Sequence, residues 1–313
     1  MKLQQLRYLC EVVKQGLSVS DAATVLHTSQ PGVSKQIRLL EEELGVVLLV
    51  RSGKRVVDLT EPGRAIIKIA ERVLRESANL KQVAEEFSDE NAGTLTIATT
   101  HTQARYALPN VIKQFSERYP KVKLTLHQGN PGQIAQEVIA GKADLAIATE
   151  ALADLPELLS LPCYEWHHCL VTPHDHPLVQ KRAVSIRDIA HFPIITYDTA
   201  FAGRSKINRA FEQQALTPNI ILSALDADVI KAYVALGLGI GIVAKMAFEP
   251  ERDTELRMIE VDDLFPVNTT RIAFRRDAYL RRYIYEFIEL FAPHLKQESV
   301  ERARQGGGDG YVI

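Results

Sequence analysis

The stretch Ser29–Gly45, SQPGVSKQIRLLEEELG, restricts the possible folds more than any other part of the chain. Val33, Ile37, Leu40 and Leu44 recur at steps of 4, 3 and 4, which makes one apolar stripe on a helix. Pro31, Ser34, Lys35 and Arg38 fall on the opposite side, and Glu41, Glu42 and Glu43 make its second half acidic. Thr28 and Ser29 offer an N-cap, and Pro31 suits the first turn. A helix that puts its basic, hydroxyl-bearing first half against DNA and keeps its acidic end clear has this pattern. The amides of its first turn can also hold a backbone phosphate. Taken alone, the same residues make an ordinary surface helix with a solvated charged face, so the neighbouring segments have to decide.

Leu3–Gln15 reads as a first helix, with Leu6, Leu9, Cys10 and Val13 on one face and Gly16 ending it. Ser18 and Asp21 stand at capping-box spacing before Ala22, Ala23, Val25 and Leu26, so a short helix follows and ends near His27. Two helices joined by so short a turn make a helix-turn-helix. After Gly45, VVLLVRSGKRVVDLT is strand-like on both sides of a Ser-Gly turn, a hairpin with a basic tip. The joint pattern is a winged helix-turn-helix. In it Lys35 and Arg38 read bases or phosphates, Ser29, Gln30, Pro31 and Ser34 set the register, and Arg51, Lys54 and Arg55 grip backbone phosphates or the minor groove.

Composition agrees without deciding. Of 313 residues, 46% are hydrophobic and 24% charged, which is ordinary for a globular protein of two or three domains. No apolar run reaches the length of a membrane helix and the N-terminus lacks a signal-peptide pattern, so no membrane partner and a cytoplasmic location are expected. Residues 1–64 carry nine Lys/Arg against seven Asp/Glu in a chain of net charge −2, so the first domain is the more basic part. Cys10, Cys163 and Cys169 make no disulfide framework.

Glu61-Pro62 opens a long helix to about Phe87, in which Ile66, Ala70, Val73, Ser77, Leu80, Ala84 and Phe87 alternate steps of 4 and 3. That heptad spacing suits pairing between two chains, and a reader of palindromic sites needs a dimer. Packing on its own domain is the alternative. Asp89–Gly93 is polar and reads as a hinge. Beyond it, strand Thr94–Thr99, helix Ala104–Tyr119, strand Val122–His127, helix Gln133–Ala140 and strand Leu145–Thr149 spell βαβαβ, a parallel sheet. Leu161–Val171 reads as one strand. A second set follows: strand Ile194–Tyr197, loop Asp198–Ser205, helix Ile207–Gln214, strand Ile220–Ala224, helix Ala227–Leu236 and strand Ile240–Ala244. Strand Arg271–Arg275 and helix Leu280–Phe291 are expected to return to the first lobe. The tail Gly306–Gly310 reads as disordered.

Ligands in such sheets sit at the carboxyl ends of the strands. Here those ends carry Thr99, Thr100, His101, Thr102 and Gln103, and Thr149 with Glu150. Hydroxyls and an amide at a helix start suit a small anion or polar metabolite, with His101 and Arg105 able to add positive charge. A plain capped βα-loop is the even alternative. No glycine-rich phosphate loop is present, the Cys163, His167, His168, Cys169 run fits no structural zinc pattern, and no catalytic nucleophile or base stands out. The expectation is no enzyme, no catalytic residue, no metal and no cofactor. A two-lobed solute-binding protein is the competing class.

The segment AATVLHTSQPGVSKQIRLLEEELGVVLLVRSGKRVVDLTEPG resembles the most recognisable segment of the LysR-type transcriptional regulators, whose domain order covers the whole chain. TIATTHTQARYALPNVI, DLAIATEAL, LPCYEWHH, PHDHPL and DADVIKAYVALGLGIG are similar to the subgroup that controls sulfur assimilation and cysteine biosynthesis. The resemblance implies an α/β fold with an N-terminal winged helix-turn-helix, a long linker helix and two Rossmann-like α/β lobes of the periplasmic-binding-protein type. It implies a DNA-binding domain over 1–60, a linker over 61–88, lobe I over 89–163 and 268–293, lobe II over 164–267 and a tail over 294–313. It further implies a homotetramer on promoter DNA, contact with RNA polymerase, and a small effector between the lobes. That effector is N-acetylserine, O-acetylserine, sulfate or a related sulfur metabolite. A sulfur-starvation regulator sensing sulfate or adenosine phosphosulfate is the alternative. Thr100, Thr102, Gln103 and Thr149 match the family's anion-contacting residues. Ala202 stands where enteric members have threonine, which removes one hydroxyl contact that Thr199, Gly203 or Arg204 could replace.

Overall fold

The computed structural model describes residues 1–53, 55–149, 152–153 and 155–306, without the side chain of Ala202. These residues group into two units, Met1–Phe87 with Asp277–Tyr279, and the rest from Ser88 on.

The first unit holds α1 (Leu3–Lys14), α2 (Val19–Val25), α3 (Gln30–Leu44), β1 (Leu49–Ser52), β2 (Arg55–Leu59) and α4 (Glu61–Ser88). Ser18 and Ser29 cap α2 and α3, each hydroxyl accepting from a backbone amide three residues on. Leu9, Val12, Ala22, Val33, Ile37, Leu40 and Leu48 are fully or almost fully buried in one core. Each large side chain among them contributes about 1.5–3 kcal/mol by leaving water. The small Ala22 and Ala23 lie in that core where α2 meets α3.

The expected stripe on α3 fails at its last position. Leu44 is exposed, and the expected acidic end loses a member because Glu41 is buried. The Glu41 carboxylate accepts the amides of Leu48 and Leu49, at 2.9 and 3.2 Å, and so pins the start of the wing to α3. β1 and β2 pair antiparallel, from Leu49 opposite Leu59 to Ser52 opposite Arg55. Thr60 then bonds back to Leu48 and caps the Gly63 amide. A Cβ at Gly63 would stand 2.1 Å from the Leu48 carbonyl oxygen, so only glycine lets α4 begin there.

The second unit is two five-stranded sheets with helices. Its first part is β3 (Ala92–Thr99), α5 (Leu108–Arg118), β4 (Lys121–Gln128), α6 (Pro131–Ile139), β5 (Leu145–Thr149) and β6 (Leu158–Trp166). The next is β7 (His168–Pro173), α7 (Ile186–Ala190), β8 (Ile194–Tyr197), α8 (Ala202–Glu212), β9 (Ile220–Ala224), α9 (Ala227–Ala235), β10 (Ile240–Ala244) and β11 (Leu256–Glu260). The chain closes with β12 (Asn268–Arg275), α10 (Arg282–Phe291) and α11 (Gln297–Arg304). Lobe I has the strand order β4-β3-β5-β12-β6 and lobe II the order β11-β7-β10-β8-β9. Phe115, Tyr119, Tyr283 and Phe287 stack where α5 meets α10. None of the helices among the described residues is long and apolar enough to cross a membrane.

Several expectations are corrected. The expected βαβαβ run does form a parallel set of β4, β3 and β5, and what it left out is that β12 runs antiparallel to both β5 and β6. Leu161–Val171 is not one strand: it breaks at His167, and its halves belong to different sheets. Gly93 is not a hinge residue. It lies inside β3, where a Cβ would meet Arg281 and Tyr283 at under 3 Å. The loop expected over Asp198–Ser205 becomes helical from Ala202. α7, β11 and α11 were unforeseen, and α11 occupies part of the expected tail; residues 307–313 lie outside the described residues.

The helix expected over Ala104–Tyr119 is two pieces. Gln103–Ala107 forms a π turn, in which the Leu108 amide donates to the Gln103 carbonyl, and α5 follows. Pro109 supplies the cause: in a continuous α-helix its ring would strike the carbonyl of Arg105, and a widened turn relieves the clash.

Candidate functional site

On α3, Gln30, Pro31, Lys35 and Arg38 are exposed and Ser34 is half-buried, with Pro31, Lys35 and Arg38 on the side away from Val33 and Ile37. Lys35 and Arg38 make no ion pair among the described residues. Ser29 serves the cap and remains exposed. Gln30 and Arg55 line one shallow groove of about 320 Å³, together with the start of α2 from Ser18 to Ser20. Recognition helix and wing therefore converge on one face. Arg51 differs from the other basic residues: its Nη2 lies 2.9 Å from Glu41 Oε2 and its Nη1 3.3 Å from Oε1. Lys54 lies outside the described residues.

The second candidate is the cleft between the lobes. Thr100, Thr102, Gln103, Pro131 and Thr149 form its lobe I wall. Trp166 from the crossover and Tyr197, Phe201 and Gly203 of lobe II face them. Ala202 lies beside this wall at the start of α8, and Glu150 is outside the described residues. One wall is thus hydroxyl and amide, and the other largely aromatic. The enclosed space is only about 30 Å³, room for a couple of waters and far below the few hundred Å³ usual for a metabolite site. The cleft is shut.

Gln103 is almost fully buried and held at both ends of its amide. Its Oε1 accepts from the Tyr164 hydroxyl, and its Nε2 donates to Thr270 Oγ1 at 3.1 Å. Thr149 stands opposite Thr270 in the sheet. Burial pushes the Tyr197 phenol up to about 12; its oxygen accepts from the Ala244 amide, and the Thr102 side chain bonds it from the other lobe. Trp166 Nε1 and His168 Nε2 are buried with no protein partner among the described residues. Burial, with the nearby Lys206 and His167 charges, lowers the His168 pKa to about 3, so the ring is neutral.

His101 and Arg105 do not line this cavity. His101 Nε2 lies 3.3 Å from Asp228 Oδ2, and Arg105 Nη2 lies 2.9 Å from Glu249 Oε2. Of the residues that could replace a hydroxyl at position 202, Thr199 is exposed. Arg204 is spent on the Tyr197 carbonyl, Ser223 and Asn208, and Gly203 faces the cavity with backbone alone. Trp166, Tyr197 and Phe201 were missed by sequence reasoning, because aromatic residues on or after buried strands look like core.

A winged helix-turn-helix on one chain with a two-lobed domain that closes on a polar cleft defines a transcriptional regulator with its own effector-binding domain. Residues 3–64 match the model of the bacterial regulatory helix-turn-helix protein, lysR family, and residues 88–296 that of the LysR substrate binding domain. The chain belongs to the LysR family of transcriptional regulators. It is 53% identical over 313 residues, all of both chains, to the HTH-type transcriptional regulator CysB of Burkholderia cenocepacia. To the regulator SsuR of the same organism it is 52% identical, covering 96% of this chain and 97% of the other. To the regulator cbl of Escherichia coli it is 45% identical over 96% of each. The crystal structure of the cofactor-binding domain of the Cbl regulator superposes with a TM-score of 0.66 at 46% identity, over 67% of this chain and 92% of that one.

Proposed function

We propose that this chain is a cytoplasmic, non-enzymatic regulator, mainly an activator, of sulfur-assimilation and cysteine-biosynthesis promoters. It acts as a homotetramer that engages RNA polymerase. Gln30, Lys35, Arg38 and Arg55 meet DNA, with Ser29, Pro31 and Ser34 in the same first turns, and Lys54, beside Arg55 in the sequence, joins them. Lys35 and Arg38 are exposed and, among the described residues, have no competing carboxylate, so phosphates or guanine edges can take them.

The effector is a small sulfur-linked metabolite such as N-acetylserine, O-acetylserine or sulfate, held by Thr100, Thr102, Gln103 and Thr149. The observation that carries this reading is the lining of the cleft: among the described residues no charged side chain lines it, its hydroxyls and amide face an aromatic wall, and α8 begins beside it at Ala202. Uncharged donors and helix-start amides suit a small anion. The likeness to Cbl along the effector domain favours, as second reading, a sensor of sulfate or adenosine phosphosulfate.

Binding to a sulfur-assimilation promoter fragment, titrated with each of the four compounds at fixed salt, tests both. An acetylserine that alters binding supports the first reading. A response confined to sulfate or adenosine phosphosulfate supports the second, and no binding removes the sulfur assignment.

A further inference from the structure

The residues that follow Thr100 serve two surfaces at once. Thr102 and Gln103 line the cavity, while His101, Arg105 and Tyr106 cross to lobe II. There the Tyr106 hydroxyl donates to Asp228 Oδ1 at 2.5 Å, His101 Nε2 lies 3.3 Å from Oδ2, and Arg105 Nε 3.8 Å from the same oxygen. Arg105 also reaches Glu249 at 2.9 Å. From within lobe II, the buried Lys231 amine stands 3.4 Å from Asp228, 2.9 Å from Asp253 and 5.3 Å from the centre of the Tyr106 ring. An isolated exposed ion pair holds little, but here one carboxylate on α9 gathers three lobe I side chains and a buried ammonium. All three lobe I side chains belong to the π turn or the residues just before it. From this one stretch Thr102 and Gln103 line the cavity while Arg105 and Tyr106 meet lobe II.

We propose that His101, Arg105 and Tyr106 form a latch with Asp228 and Glu249 that holds the two lobes closed, and that the π turn couples this latch to the effector's seat on Thr102 and Gln103. The inference rests on the effector reading above for its ligand, and on the geometry alone for the latch. A ligand gripped by both lobes gains affinity from whatever draws them together, once the cavity has widened beyond its about 30 Å³ to seat it. The latch therefore sets how much effector the regulator needs. Tyr106 and Asp228 are positioning residues: neither lines the cavity.

The test is a double-mutant cycle on the full-length protein with Tyr106→Phe and Asp228→Asn. Phe keeps the ring beside Lys231, and Asn keeps the shape of the acceptor. Hydrogen exchange of residues 101–107 and 227–235 is read without ligand, and calorimetry reads binding of N-acetylserine and of sulfate. Each single variant is expected to raise the dissociation constant about tenfold and to speed exchange in both segments. The double variant is expected to be no worse than the more severe single one, because the two residues act through one bond. Additive losses, or exchange that quickens only in the mutated segment, would overturn the latch. Wild-type protein that binds neither probe counts against the effector reading, and the exchange comparison still decides the latch. Arg105→Gln supplies an independent arm with the same expected direction.

Discussion

The Glu41 carboxylate and the Arg51 guanidinium meet as a two-bond fork, at 2.9 and 3.3 Å, while the same carboxylate also takes the amides of Leu48 and Leu49. The recognition helix and the wing are thereby held by one side chain. Glu41→Ala would leave two amides and a guanidinium without their acceptor, a loss of about 2–4 kcal/mol. Arg51→Ala leaves the amides bonded and costs less. Thermal unfolding of both variants checks the order; equal losses would mean that the guanidinium, not the amides, carries the contact.

Arg38→Ala is expected to weaken promoter binding by tenfold or more, at unchanged melting temperature, because the side chain is exposed and makes no ion pair among the described residues. If it meets a phosphate, the slope of log affinity against log salt falls by about 1; if it meets a base, affinity falls most at one operator position. Unaltered binding would remove this face of α3 from the interface.

Thr100→Ala is expected to shift the effector dose response to higher concentration, by about tenfold for the loss of a hydrogen bond to an anion, while the oligomer stays as it was. Gln103→Ala is expected to do more. Its amide is tied to Tyr164 and Thr270, so it also lowers thermal stability. The dose response of DNA binding, read beside sedimentation, separates the two effects.

His168 gives a pH dependence with a definite sign. Its folded pKa, about 3, lies below its ordinary value of 6.5. A histidine shifted downward contributes stability that is present above the unfolded pKa and is lost as pH falls through it. The loss from this group reaches about 2 kcal/mol by about pH 5. His168→Gln should flatten that part of the stability curve between pH 7 and 5. A curve of unchanged slope would show that carboxylates, not this ring, govern acid unfolding.

The head of the molecule was legible because its signals are local. Ser18, Ser29 and Pro31 mark helix starts by chemistry that acts within one turn, and Val33, Ile37 and Leu40 repeat at helical spacing. What escaped needed a distant partner. Glu41 reads as a solvated acid until the amides of residues 48 and 49 fold back onto it. Leu161–Val171 reads as one strand-like run, and nothing nearby shows that His167 hands the chain to another sheet. Thr100, Thr102, Gln103 and Thr149 were legible as a cleft wall because they stand at the carboxyl ends of β3 and β5. Their aromatic counterparts Trp166, Tyr197 and Phe201 could not, because burial in a core and burial in a cleft leave the same mark on the sequence. The π turn has only Pro109 to announce it, inside a stretch that reads as one continuous helix.

The break at His167 also orders events during synthesis. Every strand of the lobe II sheet comes from residues 168–260, so that sheet can be completed as soon as those residues are made. β6 has a single neighbour, β12, and Trp166 pairs with Asn268 across the whole of lobe II. A nascent chain that stops short of residue 268 thus carries a finished second lobe inserted in an unfinished first one, with β5 and β6 both offering unpaired edges. Non-local pairing of this kind is slow, and open strand edges invite association. The interval before β12 arrives is when this regulator is most exposed to aggregation.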